Sequence, residues 1–422
     1  MIKEYLNKII KDTGWVLGLN IINFSSSFVI AVFVSRMLGV GQLGTYTFIT
    51  AFAAVLYLVS DFGLTTLIVR KIAENKKETA GFLSKTNVIK SVAGFLSLAV
   101  FFLLIYFLDN KHFNLSLGAG IIVIIPRLYQ TTYEATIRVF GFQKYPTIIR
   151  SANSLLQIIL SYIAIMQGLG LEGIFVLILY MEVFTYIIFA LTNRRILIKN
   201  GIALKANLKD RRESLLPTVK ESGVLFLNNV LSFTIPRVHI ILLEYISSTA
   251  SVGIFSAGAR FTNGAGLVSG ALYNSVYPFI ANLKEQKKTS FELAKELVKY
   301  SIILGAVISI LLFLFSNLLI DLTFKIEEAK PVLKIVSFSV IPLLVYTITQ
   351  TYMLSIYKEK FLLKAYLLVW IFNLVLAIFL ILNYGYIGAA IVTISIEYLL
   401  MIIQLVKFYS LGKELNVSTI KS

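Results

Sequence analysis

"IIVIIPRLYQTTYEATIRVFG", residues 121–141, begins as an unbroken apolar run and then admits Arg127, Glu134 and Arg138. In a lipid-facing helix each such charge near the bilayer centre costs at least about 2.5 kcal/mol, so these side chains must face something other than lipid. The rest of the chain says why a bilayer is the right frame. Of 422 residues, 57% are hydrophobic and only 14% charged, too apolar a composition for a water-soluble protein of this length.

Apolar runs near the ~20 residues that cross ~30 Å of hydrocarbon occur twelve times. They fall at 14–35, 42–64, 87–108, 115–138, 146–167, 171–193, 220–244, 250–281, 296–324, 331–357, 361–383 and 386–408. They are too long, and too lacking in alternation, to be transmembrane strands, so an all-α membrane protein of twelve helices is expected. No small-residue cleavage site follows the first run, which therefore reads as a retained span rather than a signal peptide. Ahead of it, residues 1–13 place Ile2, Tyr5, Leu6, Ile9 and Ile10 on one helical face. This reads either as an interfacial amphipathic segment or as a solvated leader.

Lys and Arg concentrate in the segments that become cytoplasmic if the N-terminus is inside, above all in the basic linker 194–217, "RRILIKNGIALKANLKDRRESLLP". Both termini, including the tail 409–422, are therefore expected in the cytoplasm. The net charge of +17 is spread over short loops between spans, which argues against a nucleic-acid partner. The absence of cysteine excludes disulfides, thiolate metal sites and a Cys nucleophile.

The chain also repeats itself. Leu43-Gly44-Thr45-Tyr46 returns as Val252-Gly253-Ile254-Phe255, and Glu74-Asn75-Lys76-Lys77 as Glu285-Gln286-Lys287-Lys288. Further on, Pro126 matches Pro342, Gly170 and Gly173 match Gly385 and Gly388, and Glu182 matches Glu397, all at nearly the same offset. Two lobes of six helices follow, 14–193 and 218–408. Each lobe starts inside and holds an even number of spans, so the repeat is parallel, with a two-fold axis along the membrane normal and a ligand cleft expected between the lobes.

The motifs Ser35-Arg36-Met37-Leu38-Gly39, Leu43-Gly44-Thr45-Tyr46, Asp61-Phe62-Gly63-Leu64 and Val252-Gly253-Ile254-Phe255-Ser256-Ala257 resemble the polysaccharide-biosynthesis flippases (Wzx type) of the multidrug, oligosaccharidyl-lipid and polysaccharide exporter superfamily. The resemblance covers essentially the whole chain. It implies a multi-pass protein of the bacterial cytoplasmic (inner) membrane that carries undecaprenyl-diphosphate-linked sugar repeat units, precursors of O-antigen or capsule, to the outer leaflet. Partners in that setting are the lipid bilayer and the polysaccharide polymerase and chain-length machinery. No cofactor is implied beyond a coupling proton or sodium ion. Many relatives carry an Asp thirteen residues before the second-half Val-Gly, where this sequence has His239, which removes an acid from any cation role there.

Depth then selects site residues. Arg127 lies about ten residues, or ~15 Å, into the fourth span, and Arg260 about as far into the eighth, in the other lobe. A guanidinium suits a diphosphate because its planar fork donates two hydrogen bonds and keeps its charge. The candidate substrate-binding set is Arg127, Arg260, Arg237 and Arg36, with Thr131, Tyr133 and Asn228 for sugar contact. Arg127 and Arg260 have a rival reading as helix locks paired within their own lobes, Arg237 one as a cation that snorkels outward, and the polar and aromatic residues one as packing elements. Arg127, Thr131, Glu134 and Arg138 share one helical face. Glu134 can pair with Arg138 at i, i+4 or, with Asp61, bind a coupling cation. Glu182 and Glu397 read as either packing hydrogen bonds or a proton relay. His112 and His239 offer no metal site.

A cation-coupled drug or metabolite antiporter of the same fold would need an acid-dominated cavity, which the arginines oppose. A membrane polymerase would need catalytic groups in long outer loops, and these loops are short. The major-facilitator fold would need a Gly- and Arg-rich signature that "GLTTLIVRKIAENKK", residues 63–77, lacks.

Overall fold

A computed structural model describes residues 24–108, 115–142, 144–202, 215–283 and 286–420. The amphipathic segment expected at 1–13, the start of the first span, and residues 203–214 of the 194–217 linker lie outside them. Among the described residues the chain is helical and without strands. The helices are α1 (Phe24–Leu38, closing in a π turn), α2 (Val40–Asp61), α3 (Leu64–Glu74), α4 (Thr79–Leu108), α5 (Leu115–Ile122), α6 (Ile124–Val139), α7 (Lys144–Met166) and α8 (Gly170–Lys199). They continue as α9 (Leu215–Ile246), α10 (Thr249–Asn282), α11 (Lys287–Leu314), α12 (Ser316–Leu322), α13 (Ala329–Val336), α14 (Val340–Ser355) and α15 (Glu359–Ile420). Among the described residues seven helical stretches are long and apolar enough to cross a membrane. On α4, Phe95 is 73% exposed and Leu96, Val100 and Leu103 are exposed beside it, a surface that suits lipid and not water.

The repeat shows itself in where helices break. The span expected at 115–138 bends between α5 and α6, and the one at 331–357 bends through a 3-10 turn, Ser337–Ser339, between α13 and α14. Pro126 and Pro342 each sit third in the helix after the bend, where a missing N–H costs nothing but the ring forbids a continuous preceding turn. Gly170 and Gly385 both adopt positive φ, +59° and +53°, at the matching junction before the last helix of each half, so α15 is two helices merged across Gly385.

The chain divides into two compact units, Phe48–Thr234 and Met1–Thr47 with Ile235–Ser422. The boundaries fall inside α2 and α9, not in the basic linker. In the first unit α6 is central, packing on α3, α4, α7 and α8. Ile68, Ile72, Leu83, Ala135 and Leu197 form one buried cluster there. In the second unit α10 is central, packing on α13, α14 and α15, with Ala265, Val340 and Leu344 buried together.

The second unit also joins the two copies of the repeated motif. A Cβ on Gly44 would collide with the Thr249 carbonyl and lie 3.1 Å from the Gly253 nitrogen; a Cβ on Gly253 would collide with the Val40 carbonyl and lie 3.1 Å from the Gly44 nitrogen. Thr47 Oγ1 donates to Ser256 Oγ at 3.1 Å. Val40 with Thr249, Gly44 with Gly253 and Thr47 with Ser256 are all related by the same sequence offset. Equivalent residues meet in this reciprocal way where a two-fold axis passes. The glycines let the two backbones touch, as small residues do at membrane-helix crossings.

Candidate functional site: an ion-paired ladder and an arginine without an acid

On α6 the residues facing inward alternate in charge and reach α7 and α8. Arg138 Nη2 lies 2.7 Å from Glu134 Oε1. The other Glu134 oxygen accepts from Arg150 of α7 at 3.0 and 3.1 Å. Arg150 also donates to Gln130 Oε1 at 2.7 Å and approaches Glu182 of α8 at 3.9 Å. Glu182 closes the ladder, accepting from Arg127 Nη2 at 3.0 Å, from Gln130 Nε2 at 2.9 Å and from Gln157 Nε2 at 3.3 Å. The Arg150 guanidinium also lies over the Phe189 ring, 5.2 Å from its centroid. Glu182 is almost fully buried, whereas the Arg127 side chain is 43% exposed. Among the described residues of this ladder three arginines meet two glutamates, and both of its ends are partly exposed, Arg138 at one and Arg127 at the other.

Around that end, Tyr57 donates its hydroxyl to Thr131 Oγ1 at 3.0 Å, and Thr131 in turn bonds the Arg127 carbonyl at 3.2 Å. Tyr133 stacks on Tyr186 with ring centroids 6.0 Å apart, and Tyr129 meets the same ring edge-on at 5.9 Å. Asp61, at the end of α2, is not an open carboxylate. Lys90 of α4 places its ammonium 2.6 Å from Asp61 Oδ1, with both side chains buried.

The second unit is different. Arg260 of α10 bonds the Ser27 carbonyl at 3.3 Å and lies 5.7 Å from the centroid of Tyr46, while its Nε has no hydrogen-bond partner. Among the described residues no carboxylate lies within 4.0 Å of it. Arg237 follows Pro236 within α9 and is half-buried. Arg36 caps the end of α12, donating to the Leu322 and Thr323 carbonyls, and Ser35 bonds the Phe324 carbonyl at 3.1 Å. Ser35, Arg36 and Phe324 line a cavity of about 420 Å³ with Val40, Lys325, Ile326 and Glu328. The Asn228 side chain lies outside the described residues. The arginines proposed for one site thus divide between the units: Arg127 in the first, Arg36, Arg237 and Arg260 in the second.

Lys90 and Arg150 were missed by the sequence reading. Each stands only four residues into an apolar run, where a basic side chain reads as snorkelling to the interface. Their remote acids, Asp61 and Glu134, were in view, and unmatched acids inside spans are the signal that could have prompted a search for cations on neighbouring helices.

The apolar helices, their breaks and the charges buried among them define a multi-pass membrane protein. Residues 9–284 match the polysaccharide biosynthesis protein family, and the chain belongs to that family. Its fold is similar to that of a multidrug resistance MATE family transporter of the MOP superfamily in an inward-facing conformation, at TM-score 0.71, 15% identity and coverage of 94% of this chain and 95% of that one. The lipid II flippase MurJ, in an inward closed conformation, matches at 0.70 and 14%, covering 94% and 87%. A MOP superfamily transporter from Pyrococcus furiosus, described as having a binding pocket of reverse polarity, matches at 0.67 and 15%, covering 98% and 96%. No curated protein matches the chain.

Proposed function

We propose that this protein is a flippase for undecaprenyl-diphosphate-linked sugar repeat units, O-antigen or capsule precursors, in the bacterial cytoplasmic membrane. It has twelve spans with both termini cytoplasmic, and it works by alternating access without covalent chemistry. The observation that carries the reading is Arg260: a guanidinium within a span, touched among the described residues by a carbonyl and a tyrosine face and by no acid, keeps its charge for an anion. A diphosphate supplies that anion, and the arginine fork matches its oxygens. Arg237, in the same unit as Arg260, adds to that potential. Tyr133 and Thr131 offer an aromatic face and a hydroxyl to sugar, and the lipid tail stays in the bilayer. The product would be taken up by a polymerase on the outer side.

The family membership and the flippase among its structural relatives support this reading. A cation-coupled antiporter for drugs or metabolites is the second reading, favoured by one feature. Glu397 has an oxygen without a partner and, among the described residues, no basic group within 4.0 Å. A strain lacking its own flippase separates the two. Expression should clear lipid-linked repeat units from the inner leaflet and restore surface polysaccharide, with no effect on resistance to cationic drugs. Drug resistance with unrelieved accumulation would overturn the flippase reading.

A further inference from the structure

Helix α2 stops at Asp61 because the next two residues, Phe62 and Gly63, take left-handed φ values of +50° and +70°. The chain restarts as α3 one residue later. At this break the Asp61 carboxylate turns onto α3, accepting from Thr65 N at 3.3 Å and Thr65 Oγ1 at 2.5 Å. From α6, Thr132 Oγ1 and the Leu128 carbonyl converge on the same point, the carbonyl already shared with the Thr132 hydroxyl. The result is a cage of four oxygens with one carboxylate among them. Asp61 Oδ1, Thr132 Oγ1, Thr65 Oγ1 and Leu128 O stand 2.6, 2.8, 2.9 and 3.3 Å from its centre. Interrupted helices that turn carboxylate, hydroxyl and carbonyl oxygens onto one point are how membrane transporters hold monovalent cations.

At the centre sits the ammonium of Lys90. We propose that this cage is a monovalent-cation site whose occupant is covalently tethered: Lys90 stands where a sodium or ammonium ion would otherwise bind to Asp61. An ammonium has three N–H groups for four oxygens, so the cage is richer in acceptors than one lysine can use, as it would be for an ion that takes all its ligands radially. Lys90 and Asp61 are both buried, and the described charged groups close to the ammonium end with Asp61. Asp61 is therefore withdrawn from ion exchange, and a cation that drives transport must bind elsewhere. The proposal does not depend on what the protein carries, and its test reads stability rather than transport.

The test is chemical rescue of purified protein. Lys90→Ala removes the ammonium and three methylenes, a space the size of propylammonium. Its melting temperature should be depressed in choline chloride and rise saturably on titration with propylammonium, ammonium or sodium at constant ionic strength. The wild type should not respond, nor should Lys90→Ala combined with Asp61→Asn, which removes the cage's charge. An equal response in the double variant, or no response of Lys90→Ala to any of these cations, would overturn the proposal. The wild type supplies an arm that needs no folded variant. Its melting temperature should be the same in sodium, potassium and choline chloride, and stabilisation by sodium that disappears in Asp61→Asn would show that Asp61 already exchanges ions.

Discussion

Glu182 and Glu397 occupy matching positions in the two halves of the repeat, yet their surroundings have little in common. Glu182 is enclosed by Arg127, Arg150, Gln130 and Gln157, while Glu397 has an unpartnered oxygen and no basic neighbour among the described residues. The same asymmetry, reversed, separates the arginines: among the described residues Arg127 has an acid and Arg260 has none. The repeat has kept its backbone devices, the Pro126 and Pro342 bends, the Gly170 and Gly385 turns and the Gly44 to Gly253 crossing, because each is fixed by sterics that both copies share. Charge is constrained differently. Inside a membrane bundle a charge must be matched locally or reserved for a ligand, and the two halves divide those roles.

The comparison is broken or sharpened first at the acids. Glu182→Leu removes the buried acid shared by Arg127, Arg150, Gln130 and Gln157 and should cost about 3 kcal/mol. Glu397→Gln breaks no ion pair and should cost less than ~1 kcal/mol, because an amide can keep a neutral hydrogen bond. Thermal unfolding in detergent measures both, and equal losses would mean the two positions do the same work.

A smaller effect is expected where the copies touch. Gly44→Ala and Gly253→Ala each drive a methyl into a carbonyl of the other copy and should each cost about 1–3 kcal/mol by the same assay. Matched costs follow from the reciprocal contact, and a benign result at either glycine would contradict it. Smallest is the hydroxyl pair: Thr47→Ala or Ser256→Ala should cost about 1 kcal/mol. The double variant should cost less than the sum of the two single changes, since the bond between the two hydroxyls is lost in each.

Much of this was legible in the sequence. Apolar runs gave the helical membrane fold, and the offset gave the repeat, because membrane crossing and backbone sterics leave local marks. The i, i+4 spacing of Glu134 and Arg138 foretold their pair. What spacing could not give is contact between helices. Arg127 with Glu182, Arg150 with Glu134 and Lys90 with Asp61 join different helices, and a residue's charge alone does not say which neighbour answers it. For Arg127 and Arg260 the sequence supplied equal depth, while the presence or absence of an acid appeared only once the helices were packed.

The central claim is that Arg260 keeps its charge for an anionic substrate whereas the charge of Arg127 is first of all structural. Transport of lipid-linked repeat units per folded molecule, in Arg260→Lys, Arg260→Ala, Arg260→Glu and Arg127→Ala, tests it most directly. The account predicts normal folded yield for the Arg260 series, with transport falling from Lys to Ala to Glu as first the fork, then the charge, is lost and finally repulsion added. For Arg127→Ala it predicts less folded protein, with much of the transport per surviving molecule retained. Full transport by Arg260→Glu would contradict it.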